Sequence, residues 1–124
     1  MILTEMEWEN ILELILKINT IPKLDDMRME VMSFLKYLIP YDSITFFLAD
    51  ASRYMHSPLA IGIKPDHIAK YSSDWEEIDP KKWIFISNQS RAFRESDLLP
   101  EEIRQSHPYY NVAYKVLDIS HSAI

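Results

Sequence analysis

The sequence contains no cysteine. That excludes a disulfide framework, a thiolate metal site and a thiol nucleophile. It contains a single glycine, Gly62, which excludes loops that cradle phosphate, because close backbone approach needs several glycines. No apolar run reaches the roughly 18–20 residues that span a bilayer. The opening, MILTEMEWEN, is acidic and amphipathic, unlike a signal peptide. A basic excess is missing too: 13 Lys and Arg stand against 19 Asp and Glu, a formal charge of −6. Scattered cations on an acidic chain argue against this segment holding a phosphate backbone by itself. A cytoplasmic protein without membrane contact is the simplest expectation.

What the chain does have is apolar material. Of 124 residues, 48 % are hydrophobic, enough for one packed domain over 1–124. With one glycine, turns fall to Pro, Asp, Asn and Ser. Thr4-x-x-Glu7 is a capping box that predicts a helix start. Trp8, Ile11, Leu12, Leu14, Ile15 and Ile18 follow, a stripe wide enough to bury two flanks and to meet a partner chain. A homodimer is therefore expected. A second helix starts after Asp25-Asp26, with Met27, Val31, Phe34, Leu35 and Leu38 as its inner face, and Pro40 closes it. The alternation in DSITFFLAD predicts a strand over 42–50, then a turn over 50–53 and a shorter strand over 59–63.

Residues 65–83 hold the most distinctive pattern. Pro65 suits a first helical turn, and Ile68, Tyr71 and Trp75 share one face of the helix it opens. That helix should stop near Ile78. Asp79-Pro80 restarts another, with Trp83 one turn on and able to lie back toward Trp75. The expected result is an aromatic wall with a carboxylate at its foot. Asp79 is either a ligand acceptor or the N-cap of the second helix, and one carboxylate can be both. Trp75 and Trp83 are either the walls of a pocket or core packing. Further on, 87–90 reads as a loop, 92–95 as extended, Pro100 as the start of a short helix, and Ser106-x-Pro108 as the start of another. That last helix has Tyr109, Tyr110, Ala113, Val116 and Leu117 as its apolar positions. Residues 119–124 look like the approach to a strand. The histidines at 56, 67, 107 and 121 have no metal-ligand spacing, so neither metal nor cofactor is expected. Glu76-Glu77 and Glu101-Glu102 read as solvated helix faces.

Helices around a hairpin give an α+β class, helices on an antiparallel sheet. Two strands and two fragments make a thin sheet, so the chain is expected to be the front part of a longer protein, with its sheet incomplete at the C-terminus.

The order of TEMEWENILELILKIN, YDSITFFLAD after LIP, Asp79-Pro80 with Trp83, and FRESDLLP followed by HPYYNVAYKVLDISHSAI resembles the N-terminal GAF-like sensory domain of LuxR-type helix-turn-helix transcription regulators. The resemblance implies a GAF/PAS-like fold and a non-catalytic, small-molecule-sensing regulatory domain. DNA would be bound only through a separate C-terminal module absent from these residues. A looser similarity to acyl-homoserine-lactone-binding domains implies that Asp79 accepts a hydrogen bond from a ligand amide. The pocket would be lined by Tyr71, Trp75, Asp79, Trp83 and Phe85, with Tyr54 and Tyr110. The alternative is a homodimerisation or interaction module with no ligand. No activated nucleophile, acid–base pair or metal set is legible, so an enzyme is not expected.

Overall fold

The computed structural model describes residues 2–87 and 91–119, without the side chains of Phe85 and Ile86. Two helices come first, α1 (Glu5–Thr20) and α2 (Leu24–Leu35). A hairpin follows, β1 (Ile44–Ala49) and β2 (Met55–Ile61). Next is α3 (Pro65–Lys70), which continues through a π-helical turn (Tyr71–Trp75) and a 3-10 turn (Glu76–Ile78). Then come α4 (Lys82–Ile86), α5 (Glu95–Leu98) and α6 (Glu101–Ser106). A second π-helical turn (Tyr110–Tyr114) runs into α7 (Lys115–Leu117). The class is α+β, and among the described residues the sheet is a two-stranded antiparallel pair. Packing divides the chain into two compact units, 1–48 with 56–63, and 49–55 with 64–124.

In the first unit, the capping box forms in full. Glu7 N–H donates to the Thr4 hydroxyl at 3.1 Å, and Thr4 N–H donates to the Glu7 carboxylate at 2.7 Å. α1 packs on α2, and Lys17 reaches Glu30 at 3.5 Å with its ammonium 5.3 Å from the centre of the Phe34 ring. The inner face of α2 differs from expectation. Met27, Val31, Phe34, Leu35 and Leu38 are only half-buried, and the fully covered residues are Arg28 and Met32. The cause lies in the hairpin. Ser57 sits in the left-handed region at φ 49°, and Pro58 has no N–H to give a ladder. β2 therefore cannot satisfy its surroundings by strand pairing alone. The Arg28 guanidinium makes up the difference, donating to both Phe46 O and Ser57 O and lying 5.1 Å from the Phe46 ring centre. β2 also begins at Met55, four residues before the expected 59. Gly62 closes the strand at φ 81°, where a Cβ would come within 2.3 Å of Asp42 O, so only glycine fits.

In the second unit, the expected helix over 65–78 is present, but in three geometries. The Glu76 N–H bonds Tyr71 O, five residues back, so the helix takes in one extra residue at Tyr71–Trp75. Glu95, expected in an extended stretch, is the first residue of α5. Pro100 precedes α6 as expected. The last helical stretch ends at Asp118, left-handed at φ 54°, with Ile119 N–H bonded to Tyr114 O at 3.0 Å. The expected strand over 119–124 lies outside the described residues apart from Ile119.

Candidate functional site

The core of the second unit is aromatic: Trp75, Tyr109, Tyr110 and Tyr114 with Ala113, flanked by Tyr71. The two π-helical turns carry most of these rings. The tyrosines meet edge to face, with centroids 5.3 Å apart for Tyr109 and Tyr110, 5.4 Å for Tyr109 and Tyr114, and 4.7 Å for Tyr110 and Tyr114. Against this wall sits a charged cluster. Asp79 follows the 3-10 turn and its carboxylate faces inward. One oxygen, Oδ2, accepts from the Tyr71 hydroxyl at 2.8 Å. The other, Oδ1, accepts from the Lys81 N–H at 2.9 Å and lies 3.3 Å from the Lys81 ammonium. That N–H bond is the kind an N-cap makes, although regular helix begins only at Lys82.

Lys81 is the centre of the cluster, with 5 % of its surface exposed. Besides Asp79, its Nζ lies 3.2 Å from Glu95 Oε2 and donates to the Tyr114 hydroxyl at 3.0 Å. The Tyr114 hydroxyl in turn donates to Glu95 Oε2. Arg104 Nη1 stands 3.5 Å from Glu95 Oε1. Glu95 is wholly buried. Two cations therefore face two carboxylates, Lys81 and Arg104 against Asp79 and Glu95, and the formal charges cancel. The ammonium also lies over the rings of Tyr109, Tyr110 and Tyr114, at 4.5, 5.5 and 4.9 Å from their centres.

The hydroxyls of three tyrosines are pushed well above their ordinary value of 10. For Tyr71 and Tyr109 the first cause is burial and the second is the Asp79 charge, while for Tyr110 the second is Glu95. A folded-state value above the unfolded one stabilises the neutral, folded form below pH 10, and that contribution fades as pH rises past 10, where the unfolded chain ionises first. An alkaline titration should therefore show the phenolate absorbance of these three residues rising together with loss of near-ultraviolet dichroism. If all seven tyrosines ionised smoothly near their ordinary value with the dichroism intact, the burial described here would be wrong.

Of the residues expected around a pocket, Tyr71, Trp75, Asp79 and Tyr110 come together in this unit. Trp83 does not stay with them. It is 52 % exposed, because the turn at residues 79–81 points Lys81, not Trp83, into the core. Tyr54 is exposed on the hairpin turn and lines a different cleft of about 360 Å³ with Ser52, Arg53, Met55, Glu76 and Lys82. The Phe85 side chain lies outside the described residues. The room expected beside Asp79 is taken by the Lys81 ammonium and the Tyr71 hydroxyl. Sequence reasoning missed Lys81, Glu95, Arg104, Tyr109 and Tyr114 as members of the site. The tyrosines at 109, 110 and 114 had a visible signal, three rings at helical spacing. Asp-Pro-Lys also had one, since a tight turn folds the lysine back on the aspartate. Glu95 and Arg104 had none.

Among the described residues, no group of three or more His, Asp or Glu is placed to hold a metal ion, and no helix is long and apolar enough to cross a membrane. No protein-family model, curated protein or solved structure matches the chain.

Proposed function

We propose that this chain is a non-catalytic interaction module of a regulatory protein and that it self-associates through α1. The observation behind this is the exposed face of that helix. Trp8, Leu12, Ile15, Leu16 and Ile18 are each between 46 % and 63 % exposed, while Ile11 and Leu14 on the same helix are half-buried. Trp8, Leu12, Ile15 and Leu16 stand at i, i+4, i+7 and i+8, a continuous apolar stripe. Five such side chains make on the order of 500 Å² of apolar surface, as much as the largest patches monomers ordinarily leave open. A second copy is the occupant that fits best. A two-fold contact uses the same stripe twice and buries about 1,000 Å², the lower bound for a specific interface.

The resemblance to GAF-like sensory domains of LuxR-type regulators supplies the regulatory setting, with DNA contact left to another module. The internal filling around Asp79 favours the interaction reading over a small-molecule pocket at that place. The test is light scattering on the wild type and on the double variant Leu12→Glu/Ile15→Glu. The wild type should be a dimer at micromolar concentration. The variant should be a monomer that still unfolds cooperatively, with a melting temperature that no longer depends on protein concentration, because both positions face solvent in the single chain. A wild-type monomer, or a variant dimer, overturns the reading.

A further inference from the structure

We propose that the cluster of Asp79, Glu95 and the three tyrosines is a binding site for a primary alkylammonium ion, occupied in this chain by its own Lys81. The inference concerns the second unit and does not depend on self-association through α1. An ammonium group carries three N–H donors and no acceptor. Three oxygens from three separate residues surround Lys81 Nζ: it donates to the Tyr114 hydroxyl at 3.0 Å and forms ion pairs with Asp79 Oδ1 at 3.3 Å and Glu95 Oε2 at 3.2 Å. The rings of Tyr109, Tyr110 and Tyr114 flank the same atom, which attracts a cation of any substitution. The three oxygens narrow the choice. A guanidinium is planar and pairs best with two oxygens of one carboxylate, while here each anionic residue offers one oxygen to Nζ. A quaternary ammonium has no N–H, so it could not donate to the Tyr114 hydroxyl as Nζ does, and its methyl groups would hold the charge further from Asp79 Oδ1 and Glu95 Oε2.

The polypeptide holds this arrangement apart from the lysine side chain. Pro80 fixes one backbone angle of the turn, and the Lys81 backbone N–H, retained in any substitution but proline, anchors Asp79 Oδ1. Glu95 is steadied by Tyr114 and Arg104. Truncating Lys81 to alanine removes Cγ, Cδ, Cε and Nζ, which is the outline of n-propylammonium. The lysine stem thus defines both the charge and the length of the ligand that replaces it.

The experiment uses the full chain carrying Lys81→Ala, titrated with n-propylammonium and followed by thermal unfolding. The melting temperature should rise saturably, by about 5 °C once the ligand exceeds its dissociation constant roughly tenfold. Tetramethylammonium, guanidinium and n-propanol at the same concentrations should give less than a third of that rise. Wild type and Lys81→Met, in which the space is already filled, should not respond. If Lys81→Ala is unfolded alone, the same titration is read as recovery of near-ultraviolet tyrosine dichroism. Absence of a rise or recovery with n-propylammonium overturns the proposal. So does an equal response to n-propanol, which would show apolar filling alone, or an equal response to tetramethylammonium, which would show ring attraction without the three oxygens.

Discussion

Replacing Lys81 with methionine should cost about 3–5 kcal/mol of stability. The substitution keeps the approximate volume and removes the charge. Asp79 and Glu95 would then be two buried carboxylates that have lost the ammonium between them, with Arg104 still beside Glu95 and the Tyr114 hydroxyl no longer receiving the Lys81 N–H. The large figure reflects what is left behind more than what the ion pair contributes. Taking a lysine and two carboxylates from water is itself expensive, and a well-packed apolar replacement of the whole set can match it. This gives a sharper test than the single variant. Lys81→Met combined with Glu95→Gln removes one charge of each sign, and the double variant should recover about 1–3 kcal/mol relative to the sum of the two singles. Urea unfolding, with hydrogen exchange read on peptides from 64–119, measures both. A loss below about 1 kcal/mol for the single variant would mean that the ammonium is not the counter-charge of this core.

Arg28→Ala should be the second severe change, at about 2–4 kcal/mol. Arg28 is 1 % exposed and donates to two strand carbonyls, Phe46 O and Ser57 O. Removing it leaves both carbonyls covered and without that donor, and takes away a cation lying against the Phe46 ring. Its ion pair with Asp25, at 3.0 Å, contributes little by comparison, because the Asp25 side chain is 75 % exposed. Asp25→Ala should therefore change stability by under about 1 kcal/mol. Arg28→Lys should recover only part of the loss, since Nη2 serves both carbonyls while Nη1 reaches Asp25, and a single ammonium nitrogen cannot occupy both places. The readout is hydrogen exchange along β1 and β2 together with urea unfolding. If Arg28→Ala and Asp25→Ala proved equally mild, the bracing of the hairpin by this arginine would be disproved.

These two residues show where sequence reading worked and where it stopped. Local signals were legible: the Thr4–Glu7 capping box, the alternation that predicts β1, Pro65 at a helix start and the stop near Ile78. Each depends on neighbours within one turn. Arg28 was passed over because a charged residue on a helix defaults to solvent, and only the break at Ser57 and Pro58, some thirty positions later, makes its burial favourable. Lys81 was passed over for a similar reason: its two carboxylate partners include Glu95, which no spacing rule connects to it. The π-helical turns were invisible as well. Each takes one extra residue into its helix, Tyr71–Trp75 in one and Tyr110–Tyr114 in the other, and no spacing rule marks where such a turn falls. The expected wall of rings exists, but it is built from tyrosines of the last helical stretch instead of from Trp83.

The enclosure of Lys81 also bears on chemical labelling. An amine sealed among carboxylates and phenols is beyond the reach of acylating reagents until its surroundings come apart. The surface lysines react regardless. Acylation at position 81, compared with position 82 next to it, thus gives an internal clock for opening of the second unit that needs no added probe.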